Sequence, residues 1–352
     1  MSMDEYANLP RRQREILSAI VRQYISDSTP VGSKVLAGVS PEQLSSATIR
    51  SCMAELEEAG FLEQPHVSAG RIPTDKAYRY YVDHLMVPER LEVETERYIE
   101  AALAMEGGGD PGRLMEKTSQ VLARISHSVG LALGQSLEDR ILEHIKFVKL
   151  PEHRILAVIV SNPDLVENRV VRVEEEISQE ELDRTADYMN GEFRGWSLGT
   201  IRLEILKRIE AMKAICDRLI SNVARLVVWG ALANDETCPV FVEGAAAILD
   251  QPEFEDARKL RDLLHTLEEK SKLVKILNGC LHSPGRGVKI LIGRENPTSE
   301  MYNCTLVLAP VFYRDRLAGA LGVVGPRRMQ YDRAVRAVAY VSDVCTRILN
   351  TN

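Results

Sequence analysis

The stretch from Ser45 to Pro73, SSATIRSCMAELEEAGFLEQPHVSAGRIP, gathers the side chains best suited to touch a nucleic acid. It opens on Ser45, Ser46, Ala47, Thr48, Arg50 and Ser51, all small or hydroxylated apart from one cation, and holds its acids Glu55, Glu57 and Glu58 to the far end. The spacing of Ile49, Met53 and Leu56 predicts a helix with one apolar face. A hydroxyl at Ser45 or Ser46 is placed to cap its first N–H groups. With those apolar residues turned inward, Ala47, Arg50, Ser51 and Ala54 point outward and Thr48 lies to the side. Such a face can do one kind of chemistry well. Small residues let the N-terminal half sink into a major groove, where an arginine reaches a guanine edge or a phosphate. The partial positive charge of the helix start suits a phosphate too. His66, Ser68 and Arg71 stand at the tip of the hairpin that follows, with Lys76 and Arg79 just beyond it, and Ser33 and Lys34 open the helix before.

These residues need a scaffold. Leu17, Ile20, Val21, Tyr24 and Ile25 fall at helical spacing between Pro10 and Ser26. STPVGS breaks that helix, a short second one ends near Gly38, and the helix from Ser45 closes at Gly60. FLEQP and RIP read as short strands around HVSAG, and Thr74 caps a further helix through DKAYRYYVDHLM. Helix, helix, helix, strand, turn, strand is the order of a winged helix-turn-helix, ending near Pro88. The same order would also serve protein contact.

Beyond Pro88 the chain reads as α+β. ERLEVETERYIEAALAM predicts a helix, GGGDPG a flexible loop, and RLMEKTSQVLARISHSVGLAL a return to helical spacing. IKFVKL, RILAVIVS and NRVVRVEEE are strand-like, the first two joined by the tight turn PEHR. Ser178 to about Leu232 reads as helices. After PVFVEG and a helix through EDARKLRDLLHTLEEKSKLVKIL come the strands GVKILIG, CTLVLAPVFY and LAGALGVVG, the last two forming a hairpin across RDR. A helix from Tyr331 to Leu349 closes the chain.

At 352 residues the chain exceeds one ordinary core, which predicts two or three domains. Its net charge of -7 excludes a protein coated in positive charge, and residues 1–88 hold nine Lys or Arg against eleven Asp or Glu, a net of -2. A single copy of such a domain binds DNA weakly, because affinity follows phosphate neutralisation; its cations do cluster, at Arg11, Arg12 and Arg14, at Arg50, and at Arg71, Lys76 and Arg79. Binding as a dimer is therefore expected. Six scattered cysteines without a C-x-x-C pair read as buried thiols in a reducing cytoplasm. The absence of an apolar leader or a membrane-length run also predicts a cytoplasmic protein. Seven dispersed histidines offer no metal spacing.

Three further motifs have other readings. GWSLG (Gly195–Gly199) matches a nucleophile elbow, with His265 and His282 as possible partners, but the polar DYMNGEFR before it is no elbow strand. Ser197 reads better as a helix cap. GGGDPG lacks the Lys and hydroxyl of a P-loop. The arginines of GPRRMQYDRAVR could bind an anion at a helix start, though a solvated helix entry is the commoner use.

LPRRQREILSAIVRQYISDSTPVGSKVLA, LSSATIRSCMAELEEAGFLEQPHVSAGRIPTDKAYRYYVD, GRENP and LGVVGPRRMQYDRAVRAVAYV closely resemble the HrcA heat-inducible transcription repressors, over essentially the whole chain. The resemblance implies a winged helix-turn-helix over 1–88, a GAF-like α+β domain over 89–177 and 250–352, and an inserted α/β dimerisation domain over 178–249. It implies a homodimer on an inverted-repeat operator in double-stranded DNA, support by a GroE-type chaperonin, and neither enzymatic activity nor cofactor nor metal. The DNA-contacting set is then Ser33, Lys34, Ser45, Ser46, Ala47, Thr48, Arg50, Ser51, His66, Ser68, Arg71 and Lys76. One departure is Ser51–Cys52, where the family usually carries Asn and an acid. A regulator that holds a small effector in the GAF-like domain is the alternative, and a hydrolase a third.

Overall fold

Helix α1 (Arg11–Asp27) buries Ile16, Leu17, Ile20 and Val21 on one stripe and ends where Ser28 turns left-handed at φ 60°. The computed structural model describes residues 9–39, 44–66, 69–86, 90–105, 111–134, 140–162, 165–173, 176–211, 239–249, 251, 254, 257–281, 287–313 and 316–351. Helix α2 (Ser33–Val39) and helix α3 (Ser46–Glu58) follow, then strands β1 (Leu62–Glu63) and β2 (Ile72–Pro73), antiparallel with Leu62 opposite Pro73. A bridge between Val31 and Arg71 adds a third chain to this small sheet. Gly70 is required there: a Cβ would stand 2.4 Å from the Val31 carbonyl oxygen. Thr74 caps α4 (Asp75–Tyr80), accepting from the Ala77 N–H at 3.4 Å, and the chain continues through one π-helical turn, Tyr81–Leu85.

Helices α5 (Val93–Ala104) and α6 (Pro111–Ser126) precede β3 (Val129–Gly134). The sequence predicts continued helix through VGLAL. The structure instead turns at His127, φ 52°, into a strand of six buried residues. Gly130 lets β3 lie against α6, since a Cβ would stand 2.0 Å from the Ser119 carbonyl oxygen. A short apolar run does not by itself distinguish strand from helix, and that is why the periodicity misleads here.

Next come β4 (Ile141–Leu150), β5 (Arg154–Asn162), β6 (Leu165–Arg172), α7 (Gln179–Phe193) and α8 (Leu198–Ala211). The three strands form one antiparallel sheet in chain order. Glu152 and His153, at φ 60° and 54°, make the tight turn that PEHR predicts. Ser178 and Glu181 form a capping box at the start of α7. Leu182, Ala186, Met189 and Phe193 of α7 then share a core with Leu142, Ile145, Phe147, Ile155, Ala157 and Ile159 of the sheet. The helix also closes the outer edge of β4. Asn190 accepts from the Ile145 N–H at 2.8 Å and donates to its carbonyl at 2.9 Å, while Gln179 accepts from the Lys149 N–H at 2.9 Å.

The chain returns through β7 (Val240–Glu243), α9 (Ala246–Leu249), α10 (Ala257–Glu268), α11 (Lys270–Leu281), β8 (Lys289–Ile292), β9 (Cys304–Tyr313), β10 (Arg316–Pro326) and α12 (Tyr331–Thr351). The predicted EDARKL helix is thus two helices. Five strands pair in the order β7-β3-β10-β9-β8, with β8 and β9 antiparallel.

Two units result. The first comprises residues 1–132, 241–312 and 320–352, and the second 133–240 with 313–319. The main stretch of the second unit, 133–240, starts and ends before the limits expected for the insertion, 178–249. Strands β4–β6 were assigned to the flanking domain, yet their apolar face is covered by α7, so sheet and helix form one unit. The ends of the insertion meet, the Gly134 N–H donating to the Pro239 carbonyl at 2.9 Å. Helix predicted beyond Ala211, residues 107–110 of GGGDPG and His282 lie outside the described residues. Of the cysteines, Cys52, Cys304 and Cys345 are buried free thiols, the latter two pushed up to about 12 by burial. No described helix is long and apolar enough to cross a membrane.

Candidate nucleic-acid interface

Helix α3 is built as its sequence demands. The Ser45 hydroxyl accepts from the Thr48 N–H at 3.1 Å, and Ile49, Cys52, Met53 and Leu56 are buried. Ala47, Arg50, Ser51 and Ala54 are exposed, and Thr48 is half-buried at the margin. Ser33 is buried at the start of α2, its hydroxyl 3.0 Å from that of Ser46. It therefore positions α3 against α2. Lys34 is exposed beside it, and neither Lys34 nor Arg50 has a hydrogen-bond or ion-pair partner among the described residues. His66 is exposed at the hairpin, and Ser68 lies outside the described residues.

The start of α1 meets the middle of α3. Gln13 donates to Glu55 at 2.7 Å. The Cys52 thiol is pushed up by burial and by Glu55, against a smaller opposing pull from Arg12. Arg12 and Arg14 are exposed, with no hydrogen-bond or ion-pair partner among the described residues. They were missing from the candidate set, although RRQR advertises them.

A profile described as HrcA protein C terminal domain matches residues 112–335. The heat-inducible transcription repressor HrcA of Geobacter sulfurreducens is 39% identical over 343 residues, covering 97% of this chain and 98% of that protein. Those of Syntrophobacter fumaroxidans and Thermodesulfovibrio yellowstonii are each 35% identical, again over 97% of this chain and 98% of theirs. This chain belongs to the HrcA family. The family is one of transcription regulators. A crystal structure described as that of a hypothetical protein shares the fold, with TM-score 0.63 at 23% identity over 98% of this chain and 99% of that one.

Three cations near the hairpin have intramolecular partners in this HrcA-family chain. Arg71 places its guanidinium on Glu57 Oε2, both contacts at 2.8 Å, while its main chain bridges Val31. The Lys76 ammonium donates to the Ala59 carbonyl at 2.8 Å and lies 4.5 Å from the Phe61 ring centre. It thus caps the far end of α3 instead of extending the hairpin. Arg79 leaves the head altogether. It pairs with Glu295, its Nε 2.9 Å from Oε1, and donates to the Ile290 carbonyl at 2.6 Å.

Arg79 belongs to an attachment that the sequence signalled only as the motif GRENP. Asp75 receives Arg327 at 2.9 Å on one oxygen and the Arg294 N–H at 3.1 Å on the other. The Tyr78 and Tyr331 rings stand 5.8 Å apart. Gly293, at φ 53°, admits the Asp75 carboxylate where a Cβ would collide with it at 2.1 Å. Helix α4 is therefore fixed to the five-stranded body by charge pairs on two sides and an aromatic contact between them.

Ser197 of GWSLG accepts from the Thr200 N–H at 3.2 Å, the helix cap that its sequence context predicts.

Proposed function

We propose that this chain is a heat-inducible transcription repressor that reads an inverted repeat in double-stranded DNA, with α3 in the major groove. Residues 1–86 act as the winged helix-turn-helix, and the five-stranded body as the GAF-like domain. The single observation that carries this reading is the exposed face Ala47–Arg50–Ser51–Ala54 on a capped helix, with the uncommitted cations of Lys34, Arg12 and Arg14 around it. Ser46 and Ser33 set the helix, while His66 and Ser68 contribute from the hairpin. The test is Arg50→Ala beside Arg71→Ala on operator and scrambled DNA across salt. Arg50→Ala is expected to cost about 1–3 kcal/mol on operator DNA. Arg71→Ala strips Glu57 of its partner, so it lowers stability by about 1 kcal/mol and leaves affinity nearly unchanged. Parental binding by Arg50→Ala would sink the reading.

Dimerisation is assigned to the second unit. Among the described residues its strand β6 is a sheet edge paired on one side alone, carrying Val166 and Val170, which are 60% and 56% exposed, and such an edge invites pairing with a second copy. The protein acts in the cytoplasm and its active state is supported by a GroE-type chaperonin. A repressor whose competent form is a minor population has its affinity reduced by that fraction. Purified protein titrated on operator DNA under stoichiometric conditions is therefore expected to show a low active fraction. That fraction should rise with chaperonin and fall when unfolded client competes. A fully active preparation, indifferent to both, rules this control out.

A further inference from the structure

Within the first unit, a cavity of about 710 Å³ opens between the C-terminal half of α1 and the start of α12. That size falls in the range of roughly 300–1,000 Å³ typical of small-ligand sites. Arg22, Arg90, Arg328, Arg333 and Arg336 line it, opposed by two acids, Glu92 and Asp332. Five cations against two anions leave three positive charges on the walls, in a chain whose net charge is -7. The sign is reversed locally, and concavity strengthens the effect by focusing the field.

The guanidinium groups arrive from separate elements. Arg22 comes from α1, its Nε 3.4 Å from the Tyr81 hydroxyl, and Arg90 from the segment before α5. Arg328 is held by Gln251 at 2.9 Å and reaches the Ile25 carbonyl at 3.5 Å. Arg333 and Arg336 stand in the first turns of α12, a helix of 21 residues whose opening residues Tyr331 and Asp332 line the same space. Arg90 and Arg333 are exposed and have no hydrogen-bond or ion-pair partner among the described residues. Guanidinium forks pair with phosphate oxygens through two parallel N–H bonds, and several forks around one space suit an anion that carries several charged oxygens.

We infer that this cavity binds a small oligophosphate, an anion carrying two or more negative charges. This does not depend on what α3 reads. Duplex DNA is not the occupant that the geometry favours. The contact of α1 with α3 is made at Gln13. Arg22 stands nine residues further along, about 13 Å at the helical rise. A bound oligophosphate would join α1 of the head to α12 of the body.

The experiment titrates the full chain with sodium tripolyphosphate and, separately, ATP, following heat of binding and melting temperature against sodium chloride of equal ionic strength. Saturable binding with a melting shift beyond the salt control is expected. The double variant Arg90→Gln, Arg333→Gln removes no hydrogen bond or ion pair among the described residues and should weaken binding tenfold or more, while Arg184→Gln on α7 leaves it intact. Tighter binding of ATP than of tripolyphosphate assigns a nucleotide, and equal binding assigns the phosphate chain alone. A response no larger than that to salt overturns the inference. So does equal binding by parent, double variant and control. Loss of operator affinity in the double variant without any oligophosphate binding would overturn it as well, and give these arginines to DNA.

Discussion

Gly130→Val is expected to lower the melting temperature of the first unit by about 6–12 °C, the equivalent of about 3 kcal/mol in a body of this size. The cause is backbone, not side chain. A Cβ at Gly130 would stand 2.0 Å from the Ser119 carbonyl oxygen and 2.8 Å from the Ala123 nitrogen, both in the main chain of α6. No rotamer can relieve that contact, so the helix must lift from a strand whose six residues are all buried. Gly191 supplies the contrast. It lies in α7, and nothing stands within 4 Å of where its Cβ would be. Gly191→Ala should therefore stabilise by roughly 0.5–1 kcal/mol through helix propensity alone. Scanning calorimetry on both variants checks the pair. Similar small shifts in each would mean that β3 does not lie against α6 as described.

The second large effect concerns the insertion. Replacing residues 135–238 by a short glycine–serine loop should leave a folded chain that binds a single half-site and loses about a hundredfold or more in affinity for the inverted repeat. The graft is feasible because Gly134, at the end of β3, is already hydrogen-bonded to Pro239, just before the adjacent strand β7. Removing 178–249, the limits that the sequence suggests, would instead strip α7 from the sheet and delete β7 and α9. Such a protein should aggregate, and its failure would say nothing about dimerisation. Sedimentation of the 135–238 replacement decides the matter, and a dimer that still protects both half-sites refutes the assignment.

Local order explains which features the sequence disclosed. Helix α3, its cap and its outward face depend on residues within a few positions of one another, and periodicity with one hydroxyl carries all of that. The hairpin at PEHR and the Ser197 cap are local for the same reason. The intramolecular partners of Arg71 and Arg79 were not legible, because they lie far along the chain. Glu57 is 14 residues from Arg71, and Glu295 is 216 from Arg79. A run of arginines near a predicted hairpin says nothing of which ones already hold a carboxylate. The limits of the second unit were hidden for a related reason. Strands β4–β6 have no mark in their own residues to show that α7, and not the neighbouring sheet, covers their apolar face. Strand β3 was missed because six apolar residues after a helix continue its hydrophobic pattern without interruption.

The attachment of α4 has a consequence for the DNA partner. With Asp75, Tyr78 and Arg79 engaged by Arg327, Tyr331 and Glu295, the joint at α4 is closed, and a helix α3 that reads DNA as proposed could not swivel independently of its body. In the proposed dimer, two heads carried on stiff arms would accept only one angular phase. Each base pair added between the half-sites rotates one of them by about 34–36° around the duplex axis, so five added pairs turn it to the opposite face and ten restore it. Operator spacing then behaves as a periodic variable, and loosening the joint with Asp75→Ala and Arg79→Ala should flatten that period before it weakens the contact with either half-site.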